Sequence, residues 1–573
     1  ICKQMACKVA RRSLCGIALF LFPDFGHTTH STGNFGKRGG FLLMKTIRNR
    51  LAVLQLCLIL IFSLTAVYLA HLVQKPELRQ TAAGQGTYTC LAGTAEGTIY
   101  DRNGVPLINA SDTCEAVVCP TPEAVTALLP HLIDPAAFFQ KAESGRPFVC
   151  TIDTSEIDCP DVTVLKIPRR YSAEQPAQHL IGYTAQGAGV SGLEYAYDSL
   201  LRREQSQWTI TFSVDGTGSA LAGENTQIRY GANPSWGVVT TLDASIQRIC
   251  DTAGKQLKKG CVVVLDAENG DILGLSSFPT YHPEQLEAAL QNPDSPLINR
   301  ACYAYPVGSI FKLVTAACAK EQGNAYSFRW NCTGSVAIGT QIFRCHDVNG
   351  HGEQSMLEAM RNSCNPYFIA LSQELPAASM LQMAKALGFG TETPLTETIL
   401  GAAGTLPTKE QLRLPAEQAN FCFGQGILTA TPLQIARMTC AIAGDGTLPA
   451  IRLIRGSTED GKTVQQETPS RRENGISAET AAFLRSLMCY TAADEAFQGK
   501  PGNVSMGAKT STAQTGRYDA DGQEYCHGWV TSFFPAQQPR YVVTVLAEDG
   551  GYGNQTAAPV LRQIAGAILD LET

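Results

Sequence analysis

Val504-Ser-Met-Gly-Ala-Lys-Thr-Ser-Thr-Ala513, followed by Gly528-Trp-Val-Thr-Ser-Phe-Phe534 and Tyr541-Val-Val-Thr-Val-Leu546, is the stretch that decides the fold. Each run is rich in β-branched and aromatic residues and is bounded by turn residues, so the three predict an antiparallel meander. Its first strand carries Lys509-Thr510-Ser511, a cation beside two hydroxyls. That set suits a substrate carboxylate.

Two short motifs lie upstream in a fixed order, Ser309-Ile-Phe-Lys312 and Ser363-Cys-Asn365. A lone Ser-x-x-Lys turns up roughly once in any chain this long, so order and context carry the reading. Ser309 follows Tyr305-Pro-Val-Gly308 and opens an apolar-periodic stretch of Ile310, Leu313, Val314 and Ala317. The pattern predicts a helix with Ser309 and Lys312 one turn apart on one face. A serine hydroxyl is a poor nucleophile until a base takes its proton. A lysine serves as that base only when burial or a second cation lowers its pKa, and Lys509 is the candidate cation. Ser363 would pass a proton to or from the leaving amine, and the Asn365 amide would hold Lys312 and the substrate backbone. A backbone N–H of the meander strand, with that of Ser309, would form an oxyanion hole.

The trio resembles the active-site signature of penicillin-binding proteins, and other stretches point to the class B, monofunctional transpeptidase branch. Glu96-Gly-Thr-Ile-Tyr-Asp-Arg-Asn-Gly104, Gly189-Val-Ser-Gly-Leu-Glu-Tyr195 and Val214-Asp-Gly-Thr-Gly218 are similar to its non-catalytic region. Thr241-Leu-Asp-Ala-Ser-Ile-Gln247, Val264-Leu-Asp-Ala-Glu-Asn-Gly270 and Gly424-Gln-Gly-Ile-Leu-Thr-Ala-Thr-Pro-Leu-Gln434 are similar to stretches of its transpeptidase domain. The resemblance runs in order from about residue 96 to the C-terminus.

It implies an α+β fold: a single transmembrane helix, a mixed α/β pedestal, then a domain with a central antiparallel sheet flanked by helices. It also implies a peptidoglycan D,D-transpeptidase that cross-links stem peptides through an acyl-enzyme on Ser309. Catalytic roles then fall to Ser309, Lys312, Ser363, Asn365 and Lys509, substrate binding to Thr510, Ser511 and Thr512, and the oxyanion N–H groups to Ser309 and Thr512. β-Lactams would acylate Ser309 and remain there. A multi-spanning glycosyltransferase and other division or elongation proteins are the implied partners. One departure stands out: the family usually has Lys-Thr-Gly-Thr where this chain has Lys509-Thr-Ser-Thr512. A serine there crowds the approach of the strand to substrate and facing helix.

The remaining sequence sets the frame. With 573 residues, 44% hydrophobic and 17% charged, the chain holds two or three folded domains. A formal net charge of −6 without a basic tract excludes nucleic acid as a partner. Residues 51–73 form an almost uninterrupted apolar run, long enough to cross a bilayer, preceded by Lys45, Arg48 and Arg50. That asymmetry predicts a cell-membrane, single-pass protein with a cytoplasmic tail (44–50) and an extracytoplasmic catalytic domain. Residues 1–43 fit nothing, and Met44-Lys-Thr-Ile-Arg-Asn-Arg50 looks like a natural start, so 1–43 are expected to be translated leader or a disordered tail. The pedestal is assigned to 74–232 and the transpeptidase domain to 233–573. The pedestal is too short, and lacks the acidic signatures, for the glycosyltransferase domain of bifunctional penicillin-binding proteins.

Twenty cysteines are many for such a chain. Cys332 and Cys345 bracket a predicted hairpin and are the leading disulfide candidates, ahead of Cys150 with Cys159 and Cys114 with Cys119. Others, such as Cys318 and Cys440, are expected to be buried thiols. No Cys-x-x-Cys pair with zinc spacing occurs, so neither metal nor cofactor is expected. His346, His351 and His527 share no spacing and are assigned to turns and strands, Trp529 to the core, and Cys364 no chemistry.

Two rival readings stand. A D,D-carboxypeptidase or β-lactamase uses the same trio, but the Glu-x-x-x-Asn element that activates water in one β-lactamase class is missing from Glu397-Thr-Ile-Leu-Gly401. A catalytically silent scaffold of the wall-synthesis machinery is the other, and Ser511 is the feature that favours it.

Overall fold

The computed structural model describes residues 38–75, 86–215, 218–221 and 226–572, with side chains from residue 45. Most of the expected leader lies outside the described residues, as do positions 216 and 217 of the Val214–Gly218 stretch. Two compact units are present, 1–86 and 87–573.

In the first unit, helix α1 (Arg38–Gln74) runs through the apolar segment without a break. Its part Lys45–Gln74, 30 residues, is long and apolar enough to cross a membrane. At 1.5 Å per residue it is roughly 45 Å long. Its apolar side chains are exposed, as suits a helix hydrophobic all round that spans a membrane.

The second unit begins with two antiparallel sheets. In one, β1 (Thr87–Ala95) pairs with β5 (Ser206–Ser213), which pairs with β6 (Gln227–Arg229). In the other, β2 (Ser111–Val118) lies between β3 (Phe148–Ile152) and β4 (Val162–Arg169). Alternation along β2 serves two cores at once. Val117 joins Cys90, Trp208 and Phe212, while Ala116 and Val118 join Phe138 and Phe148.

The stretches flagged near the start have local structural jobs. Asp101 is buried and accepts the N–H groups of Asn103 (2.8 Å), Val105 (2.8 Å) and Ala244 (3.1 Å), tying the early segment to a later helix. Glu194 is buried against the Arg170 guanidinium at 2.5 Å and also accepts from Tyr171 at 2.9 Å. Ile99, Ile108, Leu180 and Leu193 belong to the same core as the catalytic helices, so this region is continuous with the rest of the unit.

A five-stranded antiparallel sheet organises the remainder. Its strands are β7 (Gly260–Asp266), β8 (Ile272–Phe278), β9 (Gly507–Tyr518), β10 (Glu524–Phe534) and β11 (Tyr541–Ala547), in the order β8-β7-β11-β10-β9. The predicted meander is β9-β10-β11. Both faces are covered, which is why the strands read as continuous apolar runs. Helices α2 (Ala244–Gly254) and α7 (Gly553–Asp570) bury Ile246, Cys250, Val560 and Ile564 against Val262, Val530 and Val543. The opposite face is covered by helices α5 (Pro432–Ala443) and α6 (Ala478–Ala492), and Val263, Phe533 and Leu546 share one core with them and with helices α3 (Lys312–Glu321) and α4 (Asn365–Gln373).

Candidate active site

The three motifs converge on one cleft of about 1330 Å³, lined by Ser309, Ser363, Asn365, Thr510 and Thr512 among others. Ser309 does not start an α-helix. It sits in a short 3₁₀ turn, Gly308–Phe311, and α3 begins only at Lys312. The cause is Gly308, held at φ +62° with its N–H on the Gly424 carbonyl at 2.8 Å. A Cβ on Gly424 would collide with the Gly308 backbone, so the Gly424-Gln-Gly426 stretch supports the turn by close backbone approach. Because i and i+3 eclipse in a 3₁₀ turn, Ser309 and Lys312 still share a side.

Lys312 is fully buried, and its Nζ donates to the Ser363 carbonyl (2.6 Å), the Ser363 hydroxyl (3.2 Å) and Asn365 Oδ1 (2.7 Å). Lys509, equally buried on β9, donates to the same Ser363 hydroxyl at 3.1 Å and to the Thr510 carbonyl at 2.9 Å. Ser363 thus bridges two amines. Its backbone is left-handed, at φ +49°, a strained state for a serine of the kind that clusters at functional sites. Burial pushes the Lys312 amine down to about 8. Burial, and then the charge on Lys312, hold Lys509 well below the ordinary lysine value. The expected base is therefore tuned mainly by desolvation rather than by a second cation.

These amines matter because of proton count. An ammonium has three N–H donors, matching the three acceptors around Lys312. A neutral amine keeps two and gains a lone pair, the feature a base needs to take a proton from Ser309. In this structure the half-buried Ser309 hydroxyl makes no hydrogen bond to Lys312 among those described.

Residues 260–566 match the family model of the penicillin-binding protein transpeptidase domain. The chain belongs to the class B penicillin-binding protein transpeptidases. PbpA, a peptidoglycan D,D-transpeptidase of Mycobacterium tuberculosis, is 31% identical over 60% of this chain and 74% of its own length. Stage V sporulation protein D of Bacillus subtilis is 27% identical over 91% of this chain and 85% of its own. Among solved structures, penicillin-binding protein A from M. tuberculosis, as a ceftriaxone acyl-enzyme, superposes with a TM-score of 0.59 at 25% identity, over 71% of this chain and 93% of that one. Serine-type peptidoglycan D,D-transpeptidation is the reaction that goes with the family.

Within this transpeptidase, two sequence expectations change. Thr510 and Thr512 stand half-buried along the cleft, but Ser511 is 3% exposed and its hydroxyl donates to the Val307 carbonyl at 2.8 Å. Ser511 still lines the cleft, but in this structure its hydroxyl is engaged by the Val307 carbonyl. Trp529 is completely buried and donates from Nε1 to the Pro306 carbonyl at 3.1 Å, a core residue as read.

The second change concerns the cysteines. The hairpin between Cys332 and Cys345 forms, Ser335–Ile338 against Gln341–Arg344, but both cysteines are free thiols. So are Cys114, Cys119, Cys150 and Cys159. Cys332 and Cys345 share their pocket with Cys364 and His351, and all four donor atoms lie within 4.8 Å of one another. Tetrahedral zinc with bonds of ~2.3 Å to sulfur needs donors roughly 3.8 Å apart, and three thiols with one imidazole are a zinc ligand set. Hydrogen bonds with Cys364 and His346 hold the Cys345 thiol below the ordinary cysteine value, and the same contact raises Cys364. These four residues could hold a zinc ion in a closed structural site. The four donors abut the catalytic turn, since Cys364 lies between Ser363 and Asn365 and is the N-cap of α4. His527 keeps a structural role, its Nδ1 accepting from the Asp549 N–H at 3.0 Å.

Proposed function

We propose that Ser309 is the nucleophile of a membrane-anchored transpeptidase acting on peptidoglycan stem peptides that end in D-alanyl-D-alanine. The observation that carries this is the chain Lys312–Ser363–Lys509, two depressed amines joined through one hydroxyl beside the cleft. Neutral Lys312 takes the proton as Ser309 Oγ bonds to the penultimate D-alanine carbonyl. The N–H groups of Ser309 and Thr512 hold the oxyanion. The peptide C–N bond then breaks, and terminal D-alanine leaves with a proton delivered through Ser363. An amino group of a neighbouring stem peptide attacks the ester, Ser309 recovers its proton, and the cross-link is formed. Asn365 orients Lys312, and Lys509 with Thr510 takes the substrate carboxylate.

The same nucleophile is the target for β-lactams, a reading supported by the ceftriaxone acyl-enzyme of the mycobacterial relative. Helix α1 anchors the protein by a single pass, with Lys45, Arg48 and Arg50 on the cytoplasmic side. A multi-spanning glycosyltransferase and other division or elongation proteins are the partners that suit such an enzyme.

The test is labelling of the full-length protein in detergent with a fluorescent penicillin, followed by mass spectrometry. A stable adduct on Ser309, lost in Ser309→Ala, is the expected result. Rapid penicillin turnover without an adduct would replace this reading with a β-lactamase, and no reaction would replace it with a silent scaffold.

A further inference from the structure

Ser511 stands where the family carries glycine, and the geometry points to a specific task for it. We propose that Ser511 is a positioning residue that fixes the nucleophile turn through the Val307–Gly308 peptide. The proposal rests on Ser309 being the nucleophile.

Four observations converge. The Ser511 hydroxyl donates to the Val307 carbonyl at 2.8 Å inside the protein, while the N–H of the same peptide, on Gly308, donates to Gly424 at 2.8 Å. One peptide is therefore pinned at both ends, and the next peptide along carries the Ser309 N–H. Trp529, the direct cross-strand partner of Ser511, pins the preceding carbonyl, on Pro306, at 3.1 Å. Two neighbouring side chains of the sheet thus hold consecutive carbonyls of the strap that delivers the nucleophile. Finally, the strap and this serine meet closely, because a Cβ on Gly308 would collide with Ser511 Oγ before it crowded Ala513 at 3.1 Å. Gly308 and Ser511 are a matched pair, a side chain on β9 filling the space left by a missing one on the turn.

The functional consequence concerns rate more than affinity. A glycine at 511 would leave the strap with one fewer fixed point and a gap beside Gly308. The Ser309 hydroxyl and N–H would then sample more positions around the carbonyl they must meet, and near-attack geometry is sensitive to such drift. Ser511 compensates for what it takes away, narrowing the space beside the strap while tying the strap down.

The experiment measures acylation of the full-length protein in detergent by a fluorescent penicillin over a range of concentrations, which separates the acylation rate constant from the initial Kd. Ser511→Ala and Ser511→Gly should each slow acylation about three- to tenfold, the worth of one buried neutral hydrogen bond, with Kd unchanged. Gly308→Ala should slow it more, and that loss should shrink when Ser511→Gly is added, a non-additivity that reports the pair directly. Melting temperatures show that each variant is folded; should Gly308→Ala fail to fold, the Ser511→Ala arm decides alone. Unchanged or faster acylation in both Ser511 variants overturns the proposal, as does a raised Kd at constant rate, which would make Ser511 a substrate contact. Absence of any Ser309 adduct in the unaltered protein would instead sink the nucleophile assignment, a result distinct from every outcome above.

Discussion

The cleft has two walls made in different ways. The sheet wall, Lys509 to Thr512 on β9, is held by a regular ladder to β10 and, through it, to β11. The facing wall is a turn at Ser363 in a left-handed backbone, with α4 on one side and the Cys332, Cys345, His351, Cys364 quartet behind it. A ladder distributes its support over many backbone hydrogen bonds, so no one side chain is indispensable to its shape. The turn concentrates its support in a few side chains, and each of them matters. Lys312 on α3 and Lys509 on the sheet wall both donate to the Ser363 hydroxyl of the turn wall, and the sheet wall is rigid by construction, the turn wall by local chemistry.

The largest expected effect separates the two amines. Lys312→Met should reduce penicillin acylation by about 10³-fold, the worth of a general base, and Lys509→Met by no more than about 10²-fold. A greater loss for Lys509 would move the base to the sheet wall.

Metal removal comes next. The purified full-length protein should carry about one zinc per chain by elemental analysis. Chelation should slow acylation by roughly tenfold or more and lower the melting temperature, because ligand binding to a structural site is folding free energy. Hydrogen exchange should then rise across residues 332–365 and stay unchanged across 507–547. Metal-free protein with full activity, or loosening of both walls together, would break the comparison.

The pH profile follows. Burial lowers Lys312 to about 8, so the fraction of free base grows as pH rises. Acylation should increase roughly tenfold from pH 6 to pH 7 and level off above about pH 9. A flat profile would remove Lys312 from the rate-limiting proton transfer. The smallest effect belongs to the sheet interior, where Thr531 shares hydroxyl hydrogen bonds with Thr439 (2.7 Å) and Thr544 (2.8 Å). Thr531→Val should cost about 1 kcal/mol in unfolding experiments and leave acylation untouched.

The same contrast explains what the amino-acid sequence disclosed. The sheet wall was legible because strands announce themselves by local composition, and Lys509 sits on a strand that the turn residues delimit. The long apolar helix was legible for the same reason. The turn wall was not. Its quartet donors are 13, 6 and 13 positions apart in sequence, spacings that resemble no common zinc motif, and a hairpin and a turn are needed to bring them together. Cys364 reads as filler between Ser363 and Asn365 because the three donors gathered around it lie outside that motif. Ser511 was legible as a departure, but the partner of its hydroxyl, the Val307 carbonyl, lies far away in sequence. The 3₁₀ turn at Ser309 escaped for a related reason: its apolar pattern is helical, and only the contact with Gly424 tightens it.

The strand order of the sheet has a consequence for how the enzyme comes into being. Asp266 pairs with Tyr541, 275 positions away, and β11 lies between β7 and β10. Such pairings are slow to form, since a long loop must close before any contact rewards it. A chain made from its N-terminus therefore presents Ser309 and Ser363 long before Lys509 has been synthesised, and it cannot close the sheet until β11 arrives. The growing polypeptide is chemically silent by topology alone, and its reactivity switches on only when the last strand is in place.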